Sequence, residues 1–425
     1  MITMEIRFDK KYIMSKFAYL VEKDNKMLIA NSSNGMWVVV PKVNYDIMMD
    51  GLKKERLQEY LDEFSEQERT YLINFYNELI RMELLSEKND DEVNKIKYKV
   101  VTISITNTCN LQCRHCCQNA TLSVGKIDIE YECIISRFDK ILKLNPDMIC
   151  ITGGEPMVRK DFFGLATYFR KNFEGKLILM TNGTFINNEN VELIIQLFDS
   201  IDISIDGVDE VSCSVIRGKN VFSKVIESIK LIKMRGDIPI SLSMVLTKEN
   251  QKLKKQFATL NRELGTKPVL RPLAHSGRAD ENSTLFPKEI EKYHMVQNNS
   301  NQLSDIRKEK RCRTCLAARK SVYIDSDGSI FPCGALNKEK YCLGHLDQLN
   351  NEEIKNFENV IIDSKGYDNF LQIHPERQDR CKDCSVRLFC YNCIERYDVD
   401  RNSAYFDDFC KNNKDLLEKV VWGEV

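Results

Sequence analysis

Hydrophobic positions divide the chain into three regions with different rhythms. In residues 1–86, the apolar segments "FAYLVE", "KMLIAN" and "MWVVV" predict three short strands, and a helical period then runs from Val43 to about Leu85. The charged, aperiodic stretch that follows predicts an exposed linker over residues 87–97. A small first domain of strands and helices is therefore expected ahead of the linker.

From Tyr98 the pattern alternates between short apolar segments and amphipathic ones. The six predicted strands are 99–106, 147–152, 176–181, 201–206, 240–247 and 268–272. Strands separated by helices form parallel, right-handed βαβ units. We therefore predict an α/β fold in which residues 98–300 form a partial (βα)6 barrel, with its chemistry at the carboxyl ends of the strands.

After about residue 275 this rhythm fades. From Arg311 onward the sequence is rich in cysteine and in short loops, which is typical of a small domain held together by metal rather than by a large core. The third predicted domain therefore spans residues 301–425.

Composition narrows the class of protein. The 425 residues are 43% hydrophobic and 29% charged, as in a folded protein, and the net charge of -1 gives no support for binding nucleic acid or an acidic membrane. No apolar run has the length of a signal peptide or a membrane span. We expect a cytoplasmic protein with no nucleic-acid or membrane partner.

The sixteen cysteines are unevenly spread, since none precedes Cys109 and a dense group runs from Cys312 to Cys410. A disulfide framework is the alternative reading, but a reducing compartment disfavours it. Clustering at short spacings favours metal sites instead.

The segment "TNTCNLQCRHCCQNA" follows the first barrel strand and spaces Cys109, Cys113 and Cys116 as C-x3-C-x2-C. Structural zinc requires four closed ligands, and His115 is too near Cys116 to supply the fourth without strain. Three thiolates on a four-iron cluster leave one iron open to a substrate or cofactor. The position at a strand end adds weight to the iron–sulfur interpretation.

Further motifs end the next three strands or follow them. They are the Gly-Gly-Glu-Pro of Gly153, Gly154, Glu155 and Pro156, Asn182 in "MTNGT", Ser204 and Asp206 in "SIDG", and Arg217 in "SVIRG". In isolation each has an ordinary reading as a turn, a strand end or a solvated charge. Because they follow the cysteine motif in order, at or after successive strand ends, they indicate one shared binding site.

This combination resembles the radical S-adenosylmethionine (SAM) enzymes. The resemblance implies a [4Fe–4S] cluster on Cys109, Cys113 and Cys116, with His115 where that family usually has an aromatic residue. SAM on the open iron would yield a 5′-deoxyadenosyl radical that abstracts a substrate hydrogen. The residues implied in SAM binding are Gly153, Gly154, Glu155 and Pro156 at the ammonium group, Asn182 nearby, Ser204 and Asp206 at the ribose, and Arg217 at the carboxylate.

The C-terminal cysteines resemble a SPASM domain, which carries two auxiliary [4Fe–4S] clusters. The nearer cluster would use Cys315, Cys333 and Cys393 with Cys312 as a possible fourth ligand, and the farther one Cys381, Cys384, Cys390 and Cys410. One departure is that two residues, rather than the usual three, separate the last close pair. A pair of zinc sites is the alternative.

The other cysteines have no predicted cofactor role. Cys117 and Cys342 are either spare ligands or small apolar residues, whereas Cys133, Cys150 and Cys213 lie on helix or strand patterns typical of buried thiols. No catalytic acid or base is assigned, although Asp325, Asp327 and His275 are titratable candidates in predicted loops.

The first domain has a winged-helix-like pattern and resembles the peptide-recognition element of ribosomal-peptide maturases. Such elements bind a leader peptide as an added strand at a sheet edge. Trp37 and Tyr45 are predicted in its core rather than in a peptide pocket. A DNA-binding winged helix is the competing use of the fold, but the chain has no basic excess.

The resemblances together imply a radical SAM/SPASM peptide maturase. It would crosslink a ribosomally made precursor peptide bound through its leader, with a thioether as the first expectation, and draw electrons from a flavodoxin or ferredoxin. The enzymatic alternatives are carbon–carbon crosslinking, epimerisation, and anaerobic sulfatase maturation, where an aspartate usually stands at the position of Gly334. The alternatives from other classes are an iron–sulfur electron-transfer or peptide-binding protein and a zinc-bound DNA-binding regulator.

Overall fold

The computed structural model describes residues 6–88, 97–122, 129–287, 312, 315–391, 393–403 and 406–423. Contacts divide these residues into two compact units. The first takes in the described parts of Met1–Ile96, Lys292–Leu316 and Ile373–Val425, and the second those of Lys97–Glu291 and Ala317–Gln372. Most of the predicted linker over 87–97 and the predicted boundary at 300/301 lie outside the described residues, so the domain limits stay predictions.

The N-terminal part of the first unit contains two small antiparallel sheets and three helices. Its elements are β1 (Tyr12–Met14), β2 (Ala18–Lys23), β3 (Lys26–Asn31), β4 (Trp37–Pro41), α1 (Lys42–Leu52), α2 (Leu57–Leu61), α3 (Glu66–Arg81) and β5 (Leu85–Glu87). Strands β2, β3 and β4 form one sheet with β3 at its centre, and β1 pairs with β5. The three predicted strands are confirmed, whereas β1 and β5 were not predictable because three residues are too few to show an alternation.

The C-terminal part of this unit is helical in its described residues. It contains α14 (Arg387–Cys390), α15 (Ile394–Asp400) and α16 (Phe406–Trp422). Strand β3 is buried on both faces, because successive side chains of a strand point to opposite sides. Ile29 packs among residues of the N-terminal helices, and Leu28 packs on the other face with Phe389 and Leu417.

The second unit is built on a nine-stranded sheet in the order β11-β10-β9-β8-β7-β6-β12-β13-β14. Six parallel strands form most of it: β6 (Val100–Ser104), β7 (Met148–Thr152), β8 (Lys176–Thr181), β9 (Ser200–Ser204), β10 (Ile240–Leu246) and β11 (Lys267–Pro272). The helices between and after them are α4 (Tyr131–Leu142), α5 (Phe162–Asn172), α6 (Val191–Leu197), α7 (Glu210–Arg217), α8 (Val221–Arg235), α9 (Lys254–Leu264) and α10 (Arg278–Glu281). The predicted parallel α/β architecture is confirmed.

The sheet curves so that side chains on its inner face meet across the strands. Arg271 on β11 donates a hydrogen bond to Asp202 on β9, and Cys150 on β7 lies within electrostatic reach of both. Contacts that skip a strand require a strongly bent sheet, as in a partial barrel.

A seventh parallel strand extends the barrel beyond the six that the sequence predicts. Strand β12 (Ser321–Ile324) pairs with β6 in parallel, with Tyr323 opposite Thr102, and the antiparallel strands β13 (Ser329–Phe331) and β14 (Gly344–His345) follow it. Helices α11 (Asn351–Lys355), α12 (Phe357–Ile362) and α13 (Lys365–Gln372) complete this unit. No described helix is both long and apolar enough to cross a membrane.

Candidate active site

The loop that follows β6 brings three predicted cluster ligands together. Cys109 and Cys113 are buried and Cys116 is half-buried, and electrostatic interactions connect Cys109 with both of the others. The backbone N–H of Cys109 donates to the carbonyl of Thr121 at 3.1 Å, which closes the loop on itself. Three thiols therefore gather at the carboxyl edge of the sheet, an arrangement that suits an iron–sulfur cluster with one open iron.

A segment after β11 supports this loop from outside. The guanidinium of Arg278 donates to the carbonyls of Cys113 at 3.0 Å and Ala120 at 2.6 Å, and its backbone N–H donates to the carbonyl of Cys116. Gly277 adopts a φ of 57°, and a Cβ atom there would lie 2.5 Å from the carbonyl oxygen of Cys116. Sequence analysis missed Gly277 and Arg278, since no local motif marks residues that act through backbone carbonyls of a distant loop.

The two glycines after β7 allow their backbone to lie directly against the cysteine loop. The N–H of Gly154 donates to the carbonyl of Thr106 at 2.8 Å, and the next N–H donates to Thr108 at 2.9 Å. A Cβ atom on Gly154 would lie only 2.4 Å from the carbonyl oxygen of Thr108. Close approach of backbone to backbone thus explains the glycines without any cofactor.

Glu155 is fully buried and joins the ends of two strands. Its carboxylate accepts hydrogen bonds from the Thr181 hydroxyl at 2.8 Å, the Asn182 N–H at 2.7 Å and the Met157 N–H at 3.1 Å. Burial raises the pKa of Glu155, while these three donors act against that rise. Glu155 therefore has a structural task already, and its contact with the SAM ammonium stays a prediction.

Asn182 connects the end of β8 to the cysteine loop. Its amide donates to the side-chain oxygen of Asn110 at 2.8 Å and lies 3.9 Å from the sulfur of Cys109. The structure thus places Asn182 beside a predicted iron ligand. An N–H group at this distance from a cluster sulfur is one of the features that set cluster potentials.

Asp206 forms a buried network with His115 and Arg217. One carboxylate oxygen contacts His115 Nε2 and, at 2.6 Å, Arg217 Nε, while the other accepts from the Val245 N–H. Burial alone would raise the pKa of Asp206, but Arg217 and His115 hold it well below its usual range. Arg217 also lies 3.9 Å from the sulfur of Cys113, so this network stabilises the cysteine loop.

The predicted contacts of Ser204, Asp206 and Arg217 with SAM stay predictions. Ser204 is half-buried and its hydroxyl lies 3.4 Å from that of Ser243. Asp206 is fully buried, and both of its oxygens already have partners. A ribose contact would therefore need the backbone of Asp206 or a rearranged side chain.

In the first unit, a second group of cysteines lines one cavity of about 240 Å³. Its lining includes all four predicted ligands of the farther auxiliary cluster: Cys381, Cys384, Cys390 and Cys410. Arg380, Arg387 and Lys414 add positive charge to the wall. Four thiols with nearby cations suit an iron–sulfur cluster, whose cysteine-ligated form is anionic.

Asn413 donates directly to this cysteine group. It is fully buried, and its side-chain N–H lies 3.5 Å from the sulfur of Cys390. Sequence analysis did not single out Asn413, because an asparagine within a helix carries no recognisable motif.

The predicted ligands of the nearer auxiliary cluster are distributed over both units. Cys312, Cys315 and Cys393 belong to the first unit and Cys333 to the second. Cys312 is buried, and its N–H donates to the carbonyl of Gly35 at 2.6 Å. This ligand set stays a prediction.

The remaining cysteines behave as ordinary thiols. Cys213 is fully buried and donates to the carbonyl of Ile205 at 3.0 Å, as predicted for a structural thiol, whereas Cys133 and Cys150 are half-buried. All sixteen cysteines are free of disulfides. Within the described ranges, no three His, Cys, Asp or Glu side chains are close enough to surround a single metal ion.

Comparison with protein families decides between the interpretations of the cysteine loop. Residues 103–255 match the radical SAM superfamily, and residues 312–385 match SPASM, an iron–sulfur cluster-binding domain. The chain is a radical SAM enzyme with a SPASM domain. Its cofactors are accordingly SAM and [4Fe–4S] clusters, and the thiol groups described above fit them.

Two characterised proteins are similar in sequence to this radical SAM enzyme. It is 24% identical over 332 residues to the AdoMet-dependent heme synthase of Methanosarcina barkeri, an alignment that covers 70% of this chain and 91% of the relative. It is 29% identical over 192 residues to the mycofactocin maturase MftC of Mycolicibacterium smegmatis, covering 44% of this chain and 48% of that one.

Two solved structures share its fold. Streptococcus suis SuiB bound to precursor peptide SuiA superposes with a TM-score of 0.55 at 14% identity, covering 92% of this chain and 96% of that one. Native anSMEcpe with bound AdoMet superposes with a TM-score of 0.51 at 17% identity, covering 76% of this chain and 97% of that one. Both likenesses concern the fold alone.

Proposed function

We propose that this radical SAM enzyme crosslinks a ribosomally made precursor peptide, with a thioether as the first expected product. The observation that carries the proposal is the N-terminal antiparallel sheet, in which β2 and β4 are edge strands. Among the described strands none pairs with their outer edges. Such edges suit the addition of an extended leader peptide as a further strand.

Two of the comparisons favour a peptide as substrate. MftC is a maturase, and the fold neighbour SuiB, whose likeness extends over 92% of this chain, was solved with its precursor peptide. The match to anSMEcpe extends over 76% of this chain. An exposed peptide strand is also the ligand that an open sheet edge recognises best.

Different residues would bind the cofactors and hold the strand ends in place. SAM, when bound, supplies the radical that removes a hydrogen atom from the peptide. Cys109, Cys113 and Cys116 would hold the SAM-binding cluster, while Glu155 and Arg217 fix the strand ends beside the cysteine loop. The SPASM cysteines would hold two auxiliary clusters. Electrons would come from a flavodoxin or ferredoxin, and the enzyme would act in the cytoplasm.

A modified tetrapyrrole is the second candidate substrate. The heme synthase of Methanosarcina barkeri is the relative whose alignment extends over 70% of this chain. This candidate gives no task to the edge strands of the N-terminal sheet.

Anaerobic co-expression with short peptides encoded beside the gene tests the proposal, with Cys113→Ala as the inactive control. A loss of two hydrogen masses per crosslink, absent from the control, is expected, and alkylation of the remaining thiols separates a thioether from a carbon–carbon bond. An unchanged mass with deuterium gained in deuterated water would show epimerisation. Unaltered peptides together with turnover of an iron porphyrin would favour the tetrapyrrole.

A further inference from the structure

The strand β12 places one carboxylate at the same sheet edge as the cysteine loop. Because β12 runs parallel to β6, with Ile324 opposite Ile103, the carboxyl ends of both strands meet at one edge. Asp325 follows directly after Ile324, just as the cysteine loop follows β6. Parallel sheets of this kind carry their chemistry at that edge.

Hydrogen bonds from its neighbours hold the carboxylate of Asp325. One of its oxygens accepts hydrogen bonds from the Tyr323 hydroxyl at 3.2 Å and the Ser326 N–H at 2.7 Å. The Ser326 hydroxyl adds a further hydrogen bond to the carboxylate. The side chain is thus held at this edge of the sheet by donors that carry no positive charge.

The described neighbours of Asp325 connect it with the cysteine loop. The titratable groups that face it are Tyr323, Asp327 and Cys117, and Cys117 is adjacent to the ligand Cys116. Burial raises the pKa of Asp325, and the negative charge of Asp327 adds to that rise, whereas the Ser326 and Tyr323 hydrogen bonds oppose it. A carboxylate in these surroundings suits proton transfer near neutral pH better than an exposed one.

The other acidic or basic candidates near this edge are already engaged. Asp327 is exposed and accepts from the Ser329 N–H, and Asp202 is paired with Arg271. The ring of His275 stacks on Phe286 with centroids 3.7 Å apart. Among the described residues of this group, Asp325 has neither the exposure of Asp327 nor the ion pair of Asp202.

We propose that Asp325 is the base that receives the proton lost from the precursor peptide when the crosslink forms. The inference rests on the proposed function. Forming a bond between atom X and a carbon breaks one X–H bond and one C–H bond of the peptide, with X a sulfur or a second carbon. The C–H hydrogen leaves as an atom, the X–H hydrogen leaves as a proton to Asp325, and the bound cofactors take the hydrogen atom and the surplus electron.

The test compares Asp325→Asn with Asp327→Asn, a matched change at the exposed neighbour. For Asp325→Asn we expect normal iron content and normal release of 5′-deoxyadenosine in the presence of peptide. The yield of crosslinked product should fall by roughly 10²–10⁴-fold, the usual loss when a general base is removed. In deuterated water the uncoupled peptide should gain deuterium instead of losing two hydrogens. Asp327→Asn should crosslink within about twofold of the wild type, since surface changes have small effects.

A second variant keeps the test decisive if Asp325→Asn loses its clusters. Tyr323→Phe retains the carboxylate but removes a donor that favours its charged form, so the acidic limb of the crosslinking rate should move to higher pH. Full crosslinking by Asp325→Asn, or an unchanged acidic limb of the pH–rate profile in Tyr323→Phe, would overturn the role of Asp325 and leave the proposed function standing. A wild-type protein that leaves every peptide unaltered would instead overturn the proposed function, and this role with it.

Discussion

Single buried side chains hold the strand ends around the cysteine loop. Glu155 joins the ends of β7 and β8, and Asp206 joins the end of β9 to His115 and Arg217. The sequence motifs pointed to these residues for their cofactor contacts. In the structure their carboxylate oxygens, all buried, each accept a hydrogen bond from a group within the protein.

We predict that Glu155→Gln weakens both folding and SAM binding. Gln offers one oxygen and one NH₂ group where three donors now meet a carboxylate, so at least one buried donor loses its acceptor, at a cost of about 1–3 kcal/mol. Anaerobic chemical denaturation should show the lower free energy of unfolding, and calorimetric titration the weaker SAM affinity. Glu174→Gln, at an exposed position, is the control. Equal stability of the two variants would contradict the structural task of Glu155.

A second residue-scale prediction concerns Asn413 and the cysteine cavity. Replacing Asn413 with Leu removes the N–H group that lies 3.5 Å from Cys390, and with it a stabiliser of the more negative, reduced cluster. The midpoint potential of an auxiliary cluster should therefore become more negative. A redox titration followed by electron paramagnetic resonance measures it, in protein whose Cys109, Cys113 and Cys116 are Ala so that only auxiliary clusters remain.

The adjacent Asn412 provides a matched control for this titration. Asn412 is exposed on the same helix, so Asn412→Leu should leave the potential unchanged. Identical potentials in both variants would show that the Asn413 contact does not tune the cluster.

At the scale of elements, local sequence predicted the parallel strands well and the added ones poorly. The six predicted strands lie within two residues of β6–β11, because each is a buried run bounded by polar turns. Strand β12 has only four residues, and its partner β6 lies about 220 positions earlier, so no local period reveals it. The same reason hid Arg278 and left Asp325 as one of three titratable candidates, because the placement of both residues depends on pairing and packing between distant segments.

Replacing a glycine with alanine should have opposite effects in the turn after β7 and within α5. Gly154→Ala should displace the cysteine loop, because the new methyl group would lie 2.4 Å from the Thr108 carbonyl oxygen and that neighbour is backbone. Gly164 lies within α5, and a Cβ atom there would meet nothing closer than 3.7 Å. Gly164→Ala should therefore stabilise the protein by about 0.5–1 kcal/mol, because alanine favours a helix interior.

Iron analysis and thermal unfolding of both glycine variants under anaerobic conditions check this pair. Gly154→Ala should lose iron from the SAM-binding cluster, whereas Gly164→Ala should keep it and unfold at a higher temperature. Full iron content in Gly154→Ala would show that the cysteine loop accommodates the methyl group without moving.

At the scale of the whole molecule, sequence order and structural units do not coincide. The first unit joins residues before the radical SAM domain with those from Ile373 onward, which are separated by most of the chain. Tyr19 on β2 illustrates the connection, since its hydroxyl accepts from the Arg387 guanidinium at 3.1 Å, and Arg387 lines the cysteine cavity. The N-terminal sheet and the cysteine cavity therefore share one core.

This shared core predicts that damage to the N-terminal sheet reaches the cluster. Trp37 on β4 is buried, with its ring edge-on to Phe389 at a centroid distance of 5.1 Å, in a core that also packs against Cys384 and Cys390. Trp37→Ala should cost about 3–5 kcal/mol, the usual loss for a large aromatic removed from a core. Because Phe389 immediately precedes Cys390, we expect the variant to lose auxiliary-cluster iron as well as stability.

Denaturant titration with two probes distinguishes a shared core from separate ones. Helix content and cluster absorbance should fall together, at a lower denaturant concentration in Trp37→Ala than in Tyr71→Ala, whose side chain is exposed. If Trp37→Ala instead unfolded its N-terminal part while cluster absorbance kept the wild-type midpoint, the sheet and the cluster site would be independent. Since the core is shared, a peptide added at the edge of β2 or β4 would bind the same folded unit that contains the cysteine cavity.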